Sequence, residues 1–435
     1  MPLITCRAVF STMVALAAAG LAAGCAASTS SGPQAAGPST GAAGTPAASV
    51  SAAAAGTGPT PSAAVSSARP AAASPAPSSC ASAEASAASA PSGQAAALAA
   101  VQFTDGSHGW VAGAGRILAT TDAGRSWTRQ YSGTAVLDQV DFTDDQHGWA
   151  AGRDSLLRTI NGGVTWTALT EPCRWGELNS IHFASPTLGY AVAAAAGPVG
   201  GGAFTSATGG SLLRTTDGGA TWAPVASAPA NPQSVCFANS ADGYLGTPGH
   251  IWRSTDGGQH WTLALTESGS SSNPDTADTP EIECAGPSAL WVLFLGHGVA
   301  MGHSPYLAYA SQDGHEWHGV LEEQMTESDL RPGLKLPEGP GSFPGPFSVI
   351  DSGTAAFVGY TPPMGYGAAP VMLASDNGRD LTKEGDVAAI NEPLAASFLS
   401  QAQGWVVGEN LKTNAFDIEA TANSGRSWAT EYTTG

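Results

Sequence analysis

The sequence predicts an all-β protein: a single seven-bladed β-propeller of four-stranded blades, placed after a leader and a low-complexity tether. Two recurring phrases and one spacing predict it. A turn phrase, Ser/Thr-x-Asp-x-Gly-x-x-Trp, occurs in clean or altered form seven times between Thr120 and Trp428. A second phrase of the form F-x-x-x-x-x-G-W precedes each copy. Both recur every 40–60 residues or so, the period of a repeat array and not of a lone catalytic motif.

The chain begins with residues 1–24, "MPLITCRAVFSTMVALAAAGLAAG", in which Arg7 is the one charge and an apolar run ends in small residues. This is the organisation of a secretion signal, too short and small in its side chains for a permanent membrane span. Leu21 to Cys25, "LAAGC", resembles the lipobox of bacterial lipoproteins. The resemblance implies cleavage before Cys25, lipid on that residue, and an anchor on the extracytoplasmic side of the cell membrane.

Residues 25–94 are almost entirely Ala, Ser, Pro, Gly and Thr. Such a composition cannot bury a core, so it is expected to stay disordered and to serve as a tether. Residues 95–435 are left to form the propeller. The chain carries a formal charge of −19. Only Arg7, Arg69 and Glu84 fall before residue 95, so nearly all the charge belongs to the propeller. With three lysines in all, Lys335, Lys383 and Lys412, clustered neutralisation of phosphates is excluded and no nucleic-acid partner is expected.

Once Cys6 is cleaved and Cys25 lipidated, Cys80, Cys173, Cys236 and Cys284 remain in a compartment where disulfides persist. Four cysteines allow three pairings. Cys236 and Cys284 occupy nearly equivalent places in adjacent repeats, which makes them a candidate pair. The cysteine and histidine spacing supports no structural zinc site, and no metal or cofactor is expected.

The turn phrase is clean at 120–127 ("TTDAGRSW"), 215–222 ("TTDGGATW") and 254–261 ("STDGGQHW"). Asparagine replaces the aspartate at 159–166 ("TINGGVTW") and 421–428 ("TANSGRSW"). The copy at 311–317 ("SQDGHEW") is one residue shorter, and that at 374–381 ("ASDNGRDL") has lost its tryptophan. The key positions are Asp122, Asn161, Asp217, Asp256, Asp313, Asp376 and Asn423. A short carboxylate or amide there can accept bonds from the turn's own N–H groups, and glycine supplies positive φ. Asparagine serves as acceptor but would cripple a general acid or base, so these positions are expected to be structural. Within each unit the pattern reads as four strands, A to D from the axis outward, with the turn phrase between C and D. In the first unit these are "AAVQF", "GWVAG", "RILAT" and "SWTRQ".

The turn phrase resembles the bacterial neuraminidase repeat, or Asp-box. Paired with the F-x-x-x-x-x-G-W phrase, it is similar to propellers of the photosystem II assembly and stability factor type, within the sialidase superfamily. The resemblance covers essentially all of 95–435 and implies a seven-bladed propeller whose Asp-boxes are scaffold. Photosynthetic members bind an assembling membrane protein through a basic patch. This acidic chain cannot easily carry that patch, so the partner does not transfer.

In a propeller the A–B and C–D turns share one face, and the B–C and D–A connections share the other. Length variation falls on the second face: 197–210, 296–305 and 360–370 between B and C, 266–281 and 321–346 between D and A. Insertions confined to one face mark a candidate binding side. Its candidate residues are His297, Met301, His303 and Tyr306 in blade 5, and Tyr360, Met364 and Tyr366 in blade 6. Acidic residues there, including Asp275, Asp278, Glu281 and Glu322, suit a cationic partner.

Two functional classes compete. A sialidase-like or other glycoside hydrolase would need an arginine triad and a set of catalytic carboxylates. Arg158, Arg214 and Arg253 instead hold one repeated slot before the turn phrase. The expectation is therefore a non-enzymatic binding or scaffold module, monomeric, for a protein or glycan partner at the cell surface, with no catalytic residue.

Overall fold

The computed structural model describes residues 97–152, 155–169, 178–194, 210–267, 278–296, 304–323, 336–360 and 367–435. The leader, the tether, Cys25, Cys80, Cys173, His297, Met301, His303, Met364 and Tyr366 lie outside the described residues.

Seven antiparallel sheets follow one another along the chain, and their strands pair in sequence order. Blade 1 holds β1 (Leu98–Phe103), β2 (Gly109–Thr120) and β3 (Thr128–Val136). Blade 2 holds β4 (Gln139–Phe142), β5 (Gly148–Gly152), β6 (Ser155–Thr159) and β7 (Thr167–Leu169). Blade 3 holds β8 (Leu178–Phe183), β9 (Gly189–Ala193), β10 (Ser211–Thr215) and β11 (Ala223–Pro224). Blade 4 holds β12 (Ser234–Phe237), β13 (Gly243–Thr247), β14 (His250–Ser254) and β15 (Thr262–Thr266). Blade 5 holds β16 (Thr279–Cys284), β17 (Leu290–Leu295), β18 (Tyr306–Ser311) and β19 (His318–Glu323). Blade 6 holds β20 (Phe347–Asp351), β21 (Thr354–Val358), β22 (Ala369–Ser375) and β23 (Asp380–Val387). Blade 7 holds β24 (Glu392–Phe398), β25 (Gly404–Asn410), β26 (Ala415–Thr421) and β27 (Ala429–Thr433).

Blade 1 departs from the four-strand expectation in one respect. Its second and third strands form one uninterrupted element, β2, whose first half pairs with β1 and second half with β3. The connection between the halves is only Ala114–Gly115. Gly115, at φ +68°, reverses the chain without leaving the ladder.

Each blade's first strand touches the first strand of the next, and β24 touches β1, so the seven A strands enclose the axis. Burial falls from the axis outward. β4 and β5 are buried throughout, whereas β3, β7 and β27 are largely exposed.

The two phrases meet inside the core. The phenylalanine ending strand A stacks on the strand-B aromatic of the preceding blade. Phe142 lies on Trp110 at 3.7 Å, Phe183 on Trp149 at 3.5 Å, Phe237 on Tyr190 at 3.5 Å and Phe103 on Trp405 at 3.4 Å. The same ring meets its own blade's turn-phrase tryptophan edge-on: Phe103 with Trp127, Phe142 with Trp166, Phe183 with Trp222, Phe237 with Trp261 and Phe398 with Trp428. The glycine of the second phrase is required by this ring. A Cβ on Gly148 would stand 2.3 Å from the Phe142 ring, and one on Gly404 2.2 Å from Phe398.

A second set of contacts joins the blades around the axis. The phenylalanine of one blade, or its neighbour, is clasped by a strand-A side chain of the blade before. Gln102 takes both the N–H and C=O of Phe142. Asp141 accepts from Phe183 N, and His182 Nε2 donates to Phe237 O at 2.6 Å. Cys236 is bonded to Cys284. Glu283 accepts from Val349 N, Ser348 from Phe398 N and Ser397 from Phe103 N. Seven links close the circle, and the disulfide is one of them. Among the described residues blades 1 and 7 come wholly from opposite ends of the propeller segment, with no strand exchanged between them. Closure rests on the Phe103–Trp405 stack, the Ser397 bond and a shared core of Leu98, Val101, Val407 and Ile418.

Candidate functional site

The turn-phrase carboxylates are committed to their own turns. Asp217 Oδ1 accepts from Thr215 Oγ1 at 2.8 Å and Thr221 N at 2.9 Å, while Oδ2 accepts from Thr221 Oγ1 at 2.6 Å. Thr215 Oγ1 in turn accepts from Gly219 N. Asp122 repeats the pattern with Thr120, Ser126 and Gly124. Asp256 does so with Ser254 and His260, and Asp313 with Ser311, His315 and Glu316. Asn161 and Asn423 keep the accepted bonds, while their amide nitrogens donate to Thr165 and Ser427.

These bonds favour the ionised form. The Ser126 hydroxyl, then its N–H, holds Asp122 below the usual carboxylate range. Burial pushes Asp217 up, but bonds from Thr221 and Thr215 bring it below that range on balance. The His260 imidazole, then its N–H, draws Asp256 down to about 2. A carboxylate so stabilised is a poor proton donor or acceptor near neutral pH.

Asp376 breaks the pattern. It sits at φ +49°, followed by Asn377 at +57° and Gly378 at +79°. Its carboxylate is turned outward to Arg379 at 3.8 Å and makes none of the turn bonds formed at the other six positions among the described residues. The expectation that Asp376 ties its turn is therefore corrected. With Leu381 in place of the tryptophan, the sixth turn coils differently and frees that side chain.

Arg158, Arg214 and Arg253 lie opposite the strand-B aromatics, over Trp149 at 5.7 Å, Tyr190 at 6.0 Å and Tyr244 at 6.0 Å. Arg158 also donates to Asp217 O and Pro186 O of the next blade. These three guanidiniums belong to the repeat and do not converge as a carboxylate-binding triad.

The two faces divide as the repeat requires. A–B and C–D turns bond to one another: Ala123 N to Ser107 O, Gly218 N to Thr187 O, Gly257 N to Ala241 O. The longest connections follow a B strand (β9, β17, β21) or a D strand (β15, β19), so the described residues at their ends, among them Ala194, Glu267, Gly296 and Tyr360, lie away from the turn-phrase face. Of the candidates on the opposite face, Tyr306 and Tyr360 are described. Tyr306 is 2% exposed, and its hydroxyl donates to Gly341 O at 2.6 Å, beneath the returning segment 336–346. Burial pushes its phenol up. It supports the face from within and offers no surface to a ligand. Tyr360 is half-buried, packs edge-on to Phe343 and donates to Glu392 Oε1 at 2.9 Å. Burial raises Glu392, and burial with the facing Glu392 charge raises Glu409 across the β24–β25 ladder. The described part of this face is thus an acidic surface with phenols bonded beneath it.

Sequence reasoning named the Cys236–Cys284 pair but passed over His182 beside it and one further cluster. His182, Cys236 and Cys284 bring potential metal-ligand atoms within 4.8 Å of one another, but the two sulfurs are bonded to each other. The other is an open cleft on the turn-phrase face between blades 5 and 6, discussed below. The signal for it was the lost tryptophan at Leu381, with asparagine in the glycine's place at 377.

Comparison with known families follows from this geometry. The family model for the photosynthesis system II assembly factor YCF48 matches residues 92–172 and 130–274. Over residues 92–274 the chain is similar to that family. A solved structure of YCF48 bound to D1 peptide shares 16% identity, covering 73% of this chain and 92% of that one, with a TM-score of 0.45. The GH74 xyloglucanase of Xanthomonas campestris shares 14% identity over 78% of this chain and 55% of the enzyme, at a TM-score of 0.51. The GH74 enzyme of Niastella koreensis shares 15% over 77% and 54%, also at 0.51. The chain thus spans about half the length of those enzymes, and at such identities the likeness is one of fold. No curated protein matches it in sequence.

Proposed function

We propose that this YCF48-like propeller is a non-enzymatic binding module that holds a protein partner outside the membrane, anchored through lipid on Cys25 and the tether of residues 25–94. One observation carries the reading: every long connection joins a B to a C strand or a D to an A strand, while the A–B turns and the turn phrases repeat with little variation. The assembly-factor match supports a scaffolding role. The chain's charge of −19, with Glu392, Glu409 and Glu338 on or near the elaborated face, favours a partner with a cationic surface. The turn positions add support, since the four carboxylates and two amides that bond within their turns are tied to scaffold.

The test removes the insertions and spares what packs. Deleting 268–277 and 324–335 together leaves β16 and the segment over Tyr306 in place. Proximity labelling from the native membrane should then lose the partners captured by the intact chain. Capture that survives the double deletion would move the site elsewhere. Purified protein should leave sialosides and β-glucans intact; turnover abolished by one carboxylate substitution would favour a glycoside hydrolase instead.

A further inference from the structure

The sixth repeat departs from the other six in two ways at one place: its tryptophan is Leu381 and its aspartate is turned out. The residue after the aspartate, glycine in four of the copies, is Asn377. Between this turn and strand β19 of blade 5 lies an open cleft of about 610 Å³, lined by Gln312, Asp313, Glu316, Trp317, His318, Asn377 and Arg379. That size is within the ~300–1,000 Å³ of small-molecule sites. His318 Nε2 donates to the Asn377 carbonyl and so ties the two walls.

The Asn377 side chain is 6% exposed and lines this cleft, and its amide oxygen has no hydrogen-bond partner. A buried amide acceptor left unpaired costs free energy until a donor reaches it. Asparagine in the left-handed region costs more than glycine, a penalty that Ala123 and Ser424 bear at the same place in the first and last copies. The rest of the lining supplies what one class of ligand needs. Asp313 and Glu316 are acceptors on the blade 5 wall, Arg379 is a donor on the blade 6 wall, and the Trp317 indole lies between. Hydroxyls both donate and accept, and the carbon-bound face of a sugar ring suits an indole.

We propose that this cleft binds a neutral saccharide, held between the Asn377 amide oxygen, the Trp317 indole and the charged rim. The site lies on the face opposite the one assigned to the protein partner and is independent of it.

The experiment titrates the full chain with glucose, galactose, N-acetylglucosamine, cellobiose and maltose, read by tryptophan fluorescence and saturation-transfer NMR. At least one sugar should bind saturably in the millimolar range. Asn377→Gly restores the glycine of the repeat. It should weaken that sugar at least about tenfold while the unfolding midpoint holds or rises. Arg379→Ala, at an exposed position, should weaken it as well without loss of stability. The proposal is overturned if none of the five sugars binds, if Asn377→Gly binds as tightly as the parent, or if a lysine-rich peptide alone is taken up at this cleft.

Discussion

Ser397 and Phe103 are 294 residues apart, yet the Ser397 hydroxyl accepts the Phe103 N–H at 3.0 Å. That bond is the last of the seven links around the axis, and it joins the final blade to the first. Directly beside it Phe103 stacks on Trp405, whose indole donates to Ala123 O in the turn of blade 1. These side chains and the shared core of Leu98, Val101, Val407 and Ile418 carry the closure. Ser397→Ala leaves a buried N–H unpaired and should cost about 1–3 kcal/mol. Trp405→Ala also opens a cavity and should cost about 3–5 kcal/mol. Urea unfolding measures both; equal small losses would show that the closure lies elsewhere.

The glycine of the second phrase makes a sharper demand. Gly148→Ala places a methyl carbon 2.3 Å from the Phe142 ring, which is itself stacked on Trp110 and cannot retreat. Overpacking of this kind should cost about 1–3 kcal/mol. Gly106, which like Gly148 lies outside the positive-φ region and whose added Cβ would meet only Gln403 at 3.6 Å, serves as control for the loss of glycine alone. Thermal unfolding of both variants separates the ring contact from the change of residue.

Blade count, phase and the two faces were legible because the two phrases encode contacts within one blade and between neighbours. Phe142 and Gly148 recur at fixed spacing and Trp166 recurs after them in fixed order, since one ring touches both neighbours. Of the inner clasps only the Cys236–Cys284 pair was legible, from its equivalent places in adjacent repeats. Gln102, Asp141, His182, Glu283, Ser348 and Ser397 do the same job with five residue types, so no phrase marks them. Their common sign is a polar side chain beside the end of a buried strand, which gains meaning only once the A strands face one another. Tyr306 illustrates the opposite error. Its place by a long connection suggested surface, but the returning segment 336–346 covers it.

The turns predict a graded response. Asp217→Asn should be nearly neutral, because Asn161 and Asn423 already hold the same bonds in their repeats. Asp217→Ala removes the acceptor for Thr221 N and both hydroxyls and should cost about 1 kcal/mol. At the sixth turn Asp376→Ala should change nothing, since that carboxylate holds no turn bond. A loss at Asp376 equal to that at Asp217 would contradict the outward placement.

Cys236–Cys284 closes a stretch of 48 residues between adjacent blades. On the chain-entropy account a loop of that length contributes about 4 kcal/mol by restricting the unfolded chain. Replacing both cysteines by alanine should lower stability by up to that amount while leaving the native spectrum unchanged. The circle then keeps six of its links. Denaturant titration under oxidising and reducing conditions gives the comparison, and a difference confined to the parent protein identifies the disulfide as its source.

Asp141 and His182 predict the pH dependence. Both are buried, and Asp141 Oδ2 lies 3.8 Å from His182 Nδ1, too far for a hydrogen bond. Burial pushes Asp141 up to about 8 from 3.8, against the Phe183 N–H, and pushes His182 down to about 4 from 6.5, against the Phe237 carbonyl. Near neutral pH both are therefore mainly uncharged. As pH rises from 3.8 to 8 the unfolded chain loses the Asp141 proton that the folded one keeps, so this group lowers stability with rising pH. His182 acts oppositely between 4 and 6.5, where the unfolded chain takes up a proton the folded one refuses. The two slopes cancel in that window and leave Asp141 alone from 6.5 to 8. There stability should fall by up to roughly 1.4 kcal/mol per pH unit. Asp141→Asn keeps an acceptor for Phe183 N and removes the titration. It should abolish the fall above pH 6.5 in urea unfolding, and an unchanged slope would assign the effect to another group.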